Sequence, residues 1–265
     1  MSTTPATVTA QVKLATADWE LVSTMTVPAG PMAVQDFLPL AQALSNRIVD
    51  ATEQVLAGHG ERISCKKGCG ACCRQLVMIS LVEARRIRDL VDELPEPRRS
   101  EIRQRFVAAR NRLAEAGLLD RLLHPESWTE GEYSALASSY FQQHLACPFL
   151  EEESCSIHPD RPITCREYLV TSPPENCARM TTEVIKRVRL PLKVFNAVAR
   201  LDAPGTEHFL ESSVPLVLAS EWADAHPDPT PPRPGPELLK EFLGHLAAGD
   251  AGMPKGPTAN APSGH

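Results

Sequence analysis

The apolar residues of this chain recur at helical spacing over several long stretches. Between Met32 and Ala57 they alternate three and four residues apart, which predicts an amphipathic helix with one apolar stripe. Ser80 and Glu83 have the spacing of a capping box, so a second helix is expected from there to about Leu94. Further helices are predicted over 97–117, 130–145, 190–201 and 214–225.

This succession of helices predicts a mainly α fold, a helical domain with irregular cysteine-rich loops, over residues 31–225. Residues 1–30 are expected to form an irregular lead-in. The segment 226–236 is rich in proline, which favours an extended linker. A short helix is expected over 237–248, and the polar, small-residue composition of 249–265 is typical of disorder.

Length and charge narrow the class of protein. A chain of 265 residues can bury a hydrophobic core without cross-links, and its formal charge of −6 argues against nucleic-acid binding. The first residues lack a basic segment followed by an apolar one, so no secretory signal is expected. The apolar runs are too short to span a bilayer. A cytoplasmic protein without a membrane partner is therefore predicted, in a compartment that keeps thiols reduced.

The chemistry of the chain is concentrated in its eight cysteines. The first four spell C-x3-C-x2-C-C within the stretch CKKGCGACC, and the others follow at wider spacing. All eight are candidate metal ligands: Cys65, Cys69, Cys72, Cys73, Cys147, Cys155, Cys165 and Cys177. Thiolates bind zinc and iron–sulfur clusters, and both usually take four protein ligands. In a reducing compartment such a cluster favours metal binding or redox chemistry over disulfides.

The neighbours of the cysteines fit this interpretation. Gly68, Gly70 and Ala71 allow the backbone to fold tightly around a metal. Cations flank both groups of cysteines, and a nearby cation lowers the pKa of a thiol. They are Lys66, Lys67, Arg74, Arg161 and Arg166. Adjacent cysteines seldom point at one centre, so either Cys72 and Cys73 serve two centres or one of them is structural or reactive.

The order of these motifs resembles a known family. The front cluster is followed by CPFLEEESCSIHPDRPITCREY, from Cys147 to Tyr168, as in the YkgJ-type cysteine-cluster family, a zinc- or iron-chelating domain related to the flagellin lysine N-methylases. The resemblance covers about residues 60–180 and implies that the eight cysteines bind metal, Cys177 being the most variable position of the pattern. His158 lies where the family often has tyrosine, and it could replace one sulfur.

The metal and the activity are left open by the sequence. One compact group with widely spaced later sulfurs suits an iron–sulfur cluster better than independent zinc knuckles, and the related methylases are associated with such a cluster. Iron–sulfur is therefore the favoured cofactor and Zn²⁺ the alternative. The predicted partner is a metal ion or cluster, and a protein partner is left open. A lysine methyltransferase would need S-adenosylmethionine, but no glycine-rich loop after a strand is found. A redox carrier is the third hypothesis.

Overall fold

The computed structural model describes residues 6–179, 184–203, 205–206, 209–228 and 230–249. In these residues α-helices predominate, so the prediction of a mainly α fold is confirmed. The helices are α1 (Val34–Gly58), α2 (Leu81–Glu93), α3 (Arg98–Glu115), α4 (Leu119–Leu122), α5 (Glu130–Phe141), α6 (Ile163–Glu167), α7 (Pro174–Arg179), α8 (Val194–Asp202), α9 (Ala219–Ala225) and α10 (Gly235–Ala248).

Short strands join these helices as four antiparallel pairs in the described part of the chain: β1 with β2, β3 with β8, β4 with β7, and β5 with β6. Their bounds are β1 (Thr7–Ala15), β2 (Glu20–Pro28), β3 (Pro31–Met32), β4 (Met78–Ser80), β5 (Leu150–Glu151), β6 (Ser154–Cys155), β7 (Ser213–Pro215) and β8 (Arg233–Pro234). The last of these pairs carries a cysteine, whereas the others lie outside the cysteine loops.

The predicted helix over 32–57 is confirmed as α1, and the predicted capping box is confirmed at the start of α2. The Ser80 hydroxyl accepts a hydrogen bond from the Glu83 amide, and the Glu83 carboxylate accepts one from the Ser80 amide. Both predictions succeeded because local sequence determines them: a continuous apolar stripe in α1, and side chains three residues apart in α2.

The prediction of an irregular lead-in over residues 1–30 was wrong for the described residues, which begin at residue 6. β1 and β2, with nine residues each, form an antiparallel hairpin in which Thr7 lies opposite Pro28. In β2 the buried side chains alternate with exposed ones, at Ser23, Met25 and Val27. This period of two places one face of the hairpin on the core and leaves the other in solvent.

The proline-rich segment 226–236 is not a free linker where it is described, because its Arg233–Pro234 strand pairs with Pro31–Met32. The helix predicted over 237–248 docks as α10. Its Phe242 is fully buried, and the ring centroid of Phe242 lies 5.0 Å from that of Phe37 in α1. The predicted disordered tail, apart from Gly249, lies outside the described residues.

The prediction of a helix over 214–225 is only half correct. Residues 213–215 form β7, a 3-10 turn follows over Leu216–Leu218, and only Ala219–Ala225 is α-helical. Pro215 explains the break, because proline cannot donate the backbone hydrogen bond that a helix interior needs.

One large apolar core joins the ends of the chain to the cysteine segment. It unites the hairpin, α1, α8 and α10, and it includes Ile163 and Leu169 on either side of Cys165. Within the described ranges, none of the helices combines the length and the apolar character needed to cross a membrane.

Candidate metal centre

Two consecutive tight turns between α1 and β4 carry Cys69, Cys72 and Cys73, and Cys65 directly precedes the first of them. The Cys69 amide donates to the Lys66 carbonyl over 3.1 Å, and the Cys73 amide donates to the Gly70 carbonyl over 3.0 Å. Gly68 has φ +89°, a left-handed conformation that glycine adopts without strain. The predicted tight folding of this loop is thus achieved by one glycine conformation and one 3-10 turn, Ala71–Arg74.

The loop is packed directly against the β5–β6 turn. A Cβ on Gly70 would lie 2.7 Å from Leu150 Cδ1, 2.8 Å from Glu153 Oε2 and 3.0 Å from the Glu153 carbonyl oxygen, so a side chain there would force these neighbours to shift. Arg74 forms a two-pronged ion pair with Glu153, with N–O distances of 2.5 and 3.0 Å. The Cys147 amide donates to the Cys73 carbonyl over 2.7 Å. Glycine at position 70 therefore permits the contact that joins the two cysteine segments.

The β5–β6 turn is anchored on its other side to the arginine-rich helix α3. Arg98 and Arg105 both donate to Glu151 Oε1, over 2.5 and 2.6 Å. Cys155 is paired with Leu150 across this short hairpin. Two arginines of α3 therefore hold the segment that carries Cys155.

Cys165 is held by α6, whose position is fixed through hydrogen bonds to the front of α2. The Thr164 hydroxyl donates to the Met78 carbonyl over 2.8 Å, and the Ile163 amide donates to Glu83 Oε1 over 2.7 Å. The Arg166 guanidinium is buried and donates to three oxygens, on Arg161, Pro159 and Asn46. Arg166 therefore has a structural role in bracing the α6 loop.

Cys177 lies on α7 and is 3% exposed. The Gln75 side chain donates to the Cys177 carbonyl over 3.0 Å. Cys177 packs in a small apolar cluster with Val170, Ile185 and Cys65. Cys177, the last cysteine of the sequence, therefore lies close to Cys65, the first.

All eight cysteines are free thiols. Burial raises the pKa of Cys177 to about 11 and that of Cys147 to about 12. Burial is also the first cause of the raised pKa values of Cys65, Cys155 and Cys165. The pKa of Cys72 lies far above its ordinary value, first because of the adjacent Cys73 side chain and then because of burial.

These raised pKa values do not fit the prediction that flanking cations would stabilise the thiolates. Arg161 lowers the pKa values of Cys65, Cys72 and Cys155, but burial and neighbouring thiols outweigh it. Arg74 is paired with Glu153 instead. Without metal the thiols whose pKa values are raised are therefore protonated near neutral pH, and metal binding must displace their protons. They are Cys65, Cys72, Cys147, Cys155, Cys165 and Cys177.

Two buried hydrogen-bond donors were missed by the sequence analysis. Within the described part of the chain, Tyr168 Oη and Arg161 Nε have no hydrogen-bond partner, as is also true of Ser213 Oγ, Arg233 Nε and His245 Nε2 elsewhere in the fold. The Tyr168 hydroxyl nevertheless lies near enough to Cys177 to lower the pKa of that thiol. Arg187 lies over the Tyr168 ring at 5.0 Å. A buried polar group without a partner is costly. Both donors lie beside the cysteines, where a thiolate or an inorganic sulfide would be a suitable acceptor.

The donor set fits a thiophilic metal, although its side chains are not already arranged as a coordination sphere. Among the described residues, no three His, Cys, Asp or Glu side chains meet in a geometry that could hold a metal ion. Metal binding would therefore require at least that the thiols reorient by rotation about their side-chain bonds. Burial, followed by Arg161 and Lys67, lowers the pKa of His158, so this imidazole is neutral near pH 7.

Comparison with protein families agrees with this geometry. Residues 64–185 match the family model described as "CxxCxxCC: Putative zinc- or iron-chelating domain". This segment holds all eight cysteines, so the predicted resemblance to a zinc- or iron-chelating cysteine-cluster family is confirmed for it, and metal chelation is supported. The relation to flagellin lysine N-methylases stays a prediction. No curated protein and no solved structure matched the chain.

Proposed function

We propose that this chain binds zinc or iron through the thiolates of residues 65–177. The observation that carries the proposal is the convergence of distant segments: the front loop contacts Cys147 through its backbone and Cys177 through Gln75. Two of the buried polar atoms without a hydrogen-bond partner in the described residues, Tyr168 Oη and Arg161 Nε, lie beside these cysteines and are available to donate to a metal-bound sulfur.

Within this proposal an iron–sulfur cluster is the favoured occupant and zinc the alternative. The wide spacing of the later cysteines suits a cluster held by a distributed ligand set. When bound, either group would stabilise the fold, and a cluster would add one-electron chemistry. The residues of the chain would orient the thiols and exclude water, while Tyr168 and Arg161 would donate hydrogen bonds to sulfur.

Eight unpaired thiols also fit a reducing compartment, so we place the protein in the cytoplasm. Its role there would be to hold a metal centre inside a helical body. If the centre is an iron–sulfur cluster, the protein would act as an electron carrier. No contact in the described residues favours a methyltransferase over these functions.

The test is anaerobic purification of the full chain, with iron, zinc and sulfide analysis and an absorption spectrum on one sample. Iron with sulfide and a broad band near about 400 nm would support the cluster. Zinc in a colourless protein would support metal binding and exclude the electron carrier. Cys165→Ser should lower the metal content, whereas the matched control His158→Gln should not. Absence of metal, with all thiols open to alkylation, would contradict the proposal.

A further inference from the structure

The N-terminal hairpin has one covered edge and one free edge. Within the described ranges, β1 and β2 form a sheet of two strands. The helices α1 and α10 pack against β2, and Arg47 of α1 donates to the Val22 carbonyl over 2.7 Å. The residues of β1, by contrast, have no hydrogen-bond partner outside the hairpin among the described residues. The outer edge of β1 is therefore open to another strand.

The register of the hairpin shows which backbone groups form this free edge. The Ala29 amide donates to the Ala6 carbonyl over 2.8 Å, so these opposed residues are a hydrogen-bonded pair. Pro28, which has no N–H, lies opposite Thr7 at the next position, as a non-bonded pair allows. Because the two kinds of pair alternate along an antiparallel ladder, every second residue of β1 directs its N–H and C=O away from β2. These outward residues are Thr7, Thr9, Gln11, Lys13 and Ala15.

The face of β1 that points towards the core is apolar and only partly covered. Its residues are Val8, Ala10, Val12 and Leu14. Val12 is buried, Ala10 and Leu14 are half-buried, and Val8 is 40% exposed. The side chains of a strand placed beside β1 would lie next to this row on the same face and remove part of it from water.

We propose that β1 of a second copy pairs antiparallel with this edge, so that two chains form a symmetric dimer with a continuous four-stranded sheet. This inference goes beyond the proposed function and does not depend on it. The sequence after Gly249 is rich in proline and glycine, which disfavour strand pairing, so the tail of the chain is a poor alternative occupant.

The sequence of β1 is compatible with pairing to itself about a two-fold axis at Gln11, the middle residue of the strand. In this register Gln11 lies opposite the partner's Gln11, and Val8 lies opposite the partner's Leu14, apolar against apolar. The single charge of the strand, Lys13, lies opposite the partner's Thr9, so no like charges are opposed. Both helical bodies would lie on the same face of the sheet, each under its own β2 and away from the axis.

The experiment measures the mass of the full-length protein against concentration by analytical ultracentrifugation, with a reductant present to prevent disulfides between chains. We expect the mass of two chains, falling to that of one on dilution. Gln11→Pro removes an outward N–H at the axis without removing a hydrogen bond to β2, so the Kd of the dimer should rise at least about tenfold. Gln11→Ala is the matched control, because it keeps the backbone donor, and its Kd should stay within about twofold of the original.

The mass of one chain at every soluble concentration would overturn the proposal, as would equal Kd values for Gln11→Pro and Gln11→Ala. If circular dichroism shows that Gln11→Pro disturbs the hairpin, hydrogen exchange of the unchanged chain decides. The outward amides of Thr9, Gln11 and Lys13 should be protected in the dimer and exchange rapidly in the diluted monomer. The amides of Ala10 and Val12, which bond to β2, should be protected in both. Rapid exchange of the outward amides in a dimer would refute an interface at β1.

Discussion

The Ile163 amide, two residues before Cys165, donates a hydrogen bond over 2.7 Å to the Oε1 atom of Glu83. Glu83 Oε2 meanwhile accepts from the amide and hydroxyl of Ser80. The residue that caps α2 therefore also fixes the start of α6. The capping box of α2 therefore connects this helix to α6, which carries Cys165.

Glu83→Ala should destabilise the protein by at least about 2 kcal/mol, because it leaves buried donors on Ser80 and Ile163 without an acceptor. It should also reduce metal content, because α6 loses the contact that positions Cys165. Urea unfolding and metal analysis of the same preparation measure the two effects.

Glu132 provides the matched control, because it forms the same capping box with Thr129 at the start of α5 but is exposed to solvent. Glu132→Ala should cost about 1 kcal/mol and leave the metal content unchanged. If both variants lower the metal content equally, the effect follows from general instability and the link through Ile163 has no specific role.

Glu167 should make stability depend on pH. Burial raises its pKa from 4.5 to about 8, although its Oε1 accepts from the Val194 amide over 2.7 Å. Between these values the unfolded chain releases the proton and the folded protein keeps it, so stability falls as pH rises from 4.5 towards 8.

Glu167→Gln should remove this dependence, since the amide oxygen can still accept from Val194. Urea unfolding at pH 5 and pH 8 should show a loss of a few kcal/mol in the original protein, at about 1.4 kcal/mol per pKa unit, and a smaller loss in the variant. Equal losses would mean that the folded protein ionises Glu167 at its ordinary pKa.

The features that the sequence could predict are those with short-range causes. The stripe of α1 and the cap at Ser80 need only residues a few positions apart. The hairpin of residues 7–28 was also readable, because Val8, Ala10, Val12 and Leu14 alternate with polar residues along β1.

The arrangement of the site depends on distant contacts, which no local pattern contains. The spacing of the cysteines predicts ligands, but the packing of Cys65 with Cys177 in one apolar cluster, and of Cys147 and Cys155 against another, arises from contacts between distant parts of the chain. The raised pKa values follow from burial by that packing. In the sequence Tyr168 is only the last residue of the second cysteine motif, and its burial as a donor without a hydrogen-bond partner becomes visible only in three dimensions.

Gly70→Ala should weaken the metal site without straining the backbone, because Gly70 has φ −94°, which any residue adopts. The added methyl group would collide with Leu150 and Glu153 and displace the β5–β6 turn from the front loop. We expect a loss of about 1–3 kcal/mol and a lower metal content.

Gly244→Ala is the control for this substitution, since nothing lies within 4 Å of a Cβ at that position of α10. It should stabilise the helix by up to about 1 kcal/mol and leave metal binding unchanged. Unchanged metal content in Gly70→Ala would indicate that the two cysteine segments need not be in close contact.

The docking of α10 can be tested by Phe242→Ala. Phe242 is fully buried against Phe37, so its truncation should cost about 3–5 kcal/mol. Lys240→Ala, on the exposed side of the same helix, should change stability by less than about 0.5 kcal/mol. If thermal unfolding shows that both substitutions change the stability equally little, α10 does not belong to the core.

Tyr168→Phe should have opposite effects on the metal-free and metal-loaded protein. Without metal the buried hydroxyl has no hydrogen-bond partner among the described residues, so its removal should leave stability unchanged or raise it by about 1–3 kcal/mol. With metal bound, the hydroxyl gains a thiolate or sulfide as acceptor, and its removal should weaken metal binding about tenfold or more. Unfolding with and without metal, together with competition against a chelator, measures both effects. A loss of stability in the metal-free variant would mean that the hydroxyl already has a partner, and unchanged affinity would mean that it does not act on the centre.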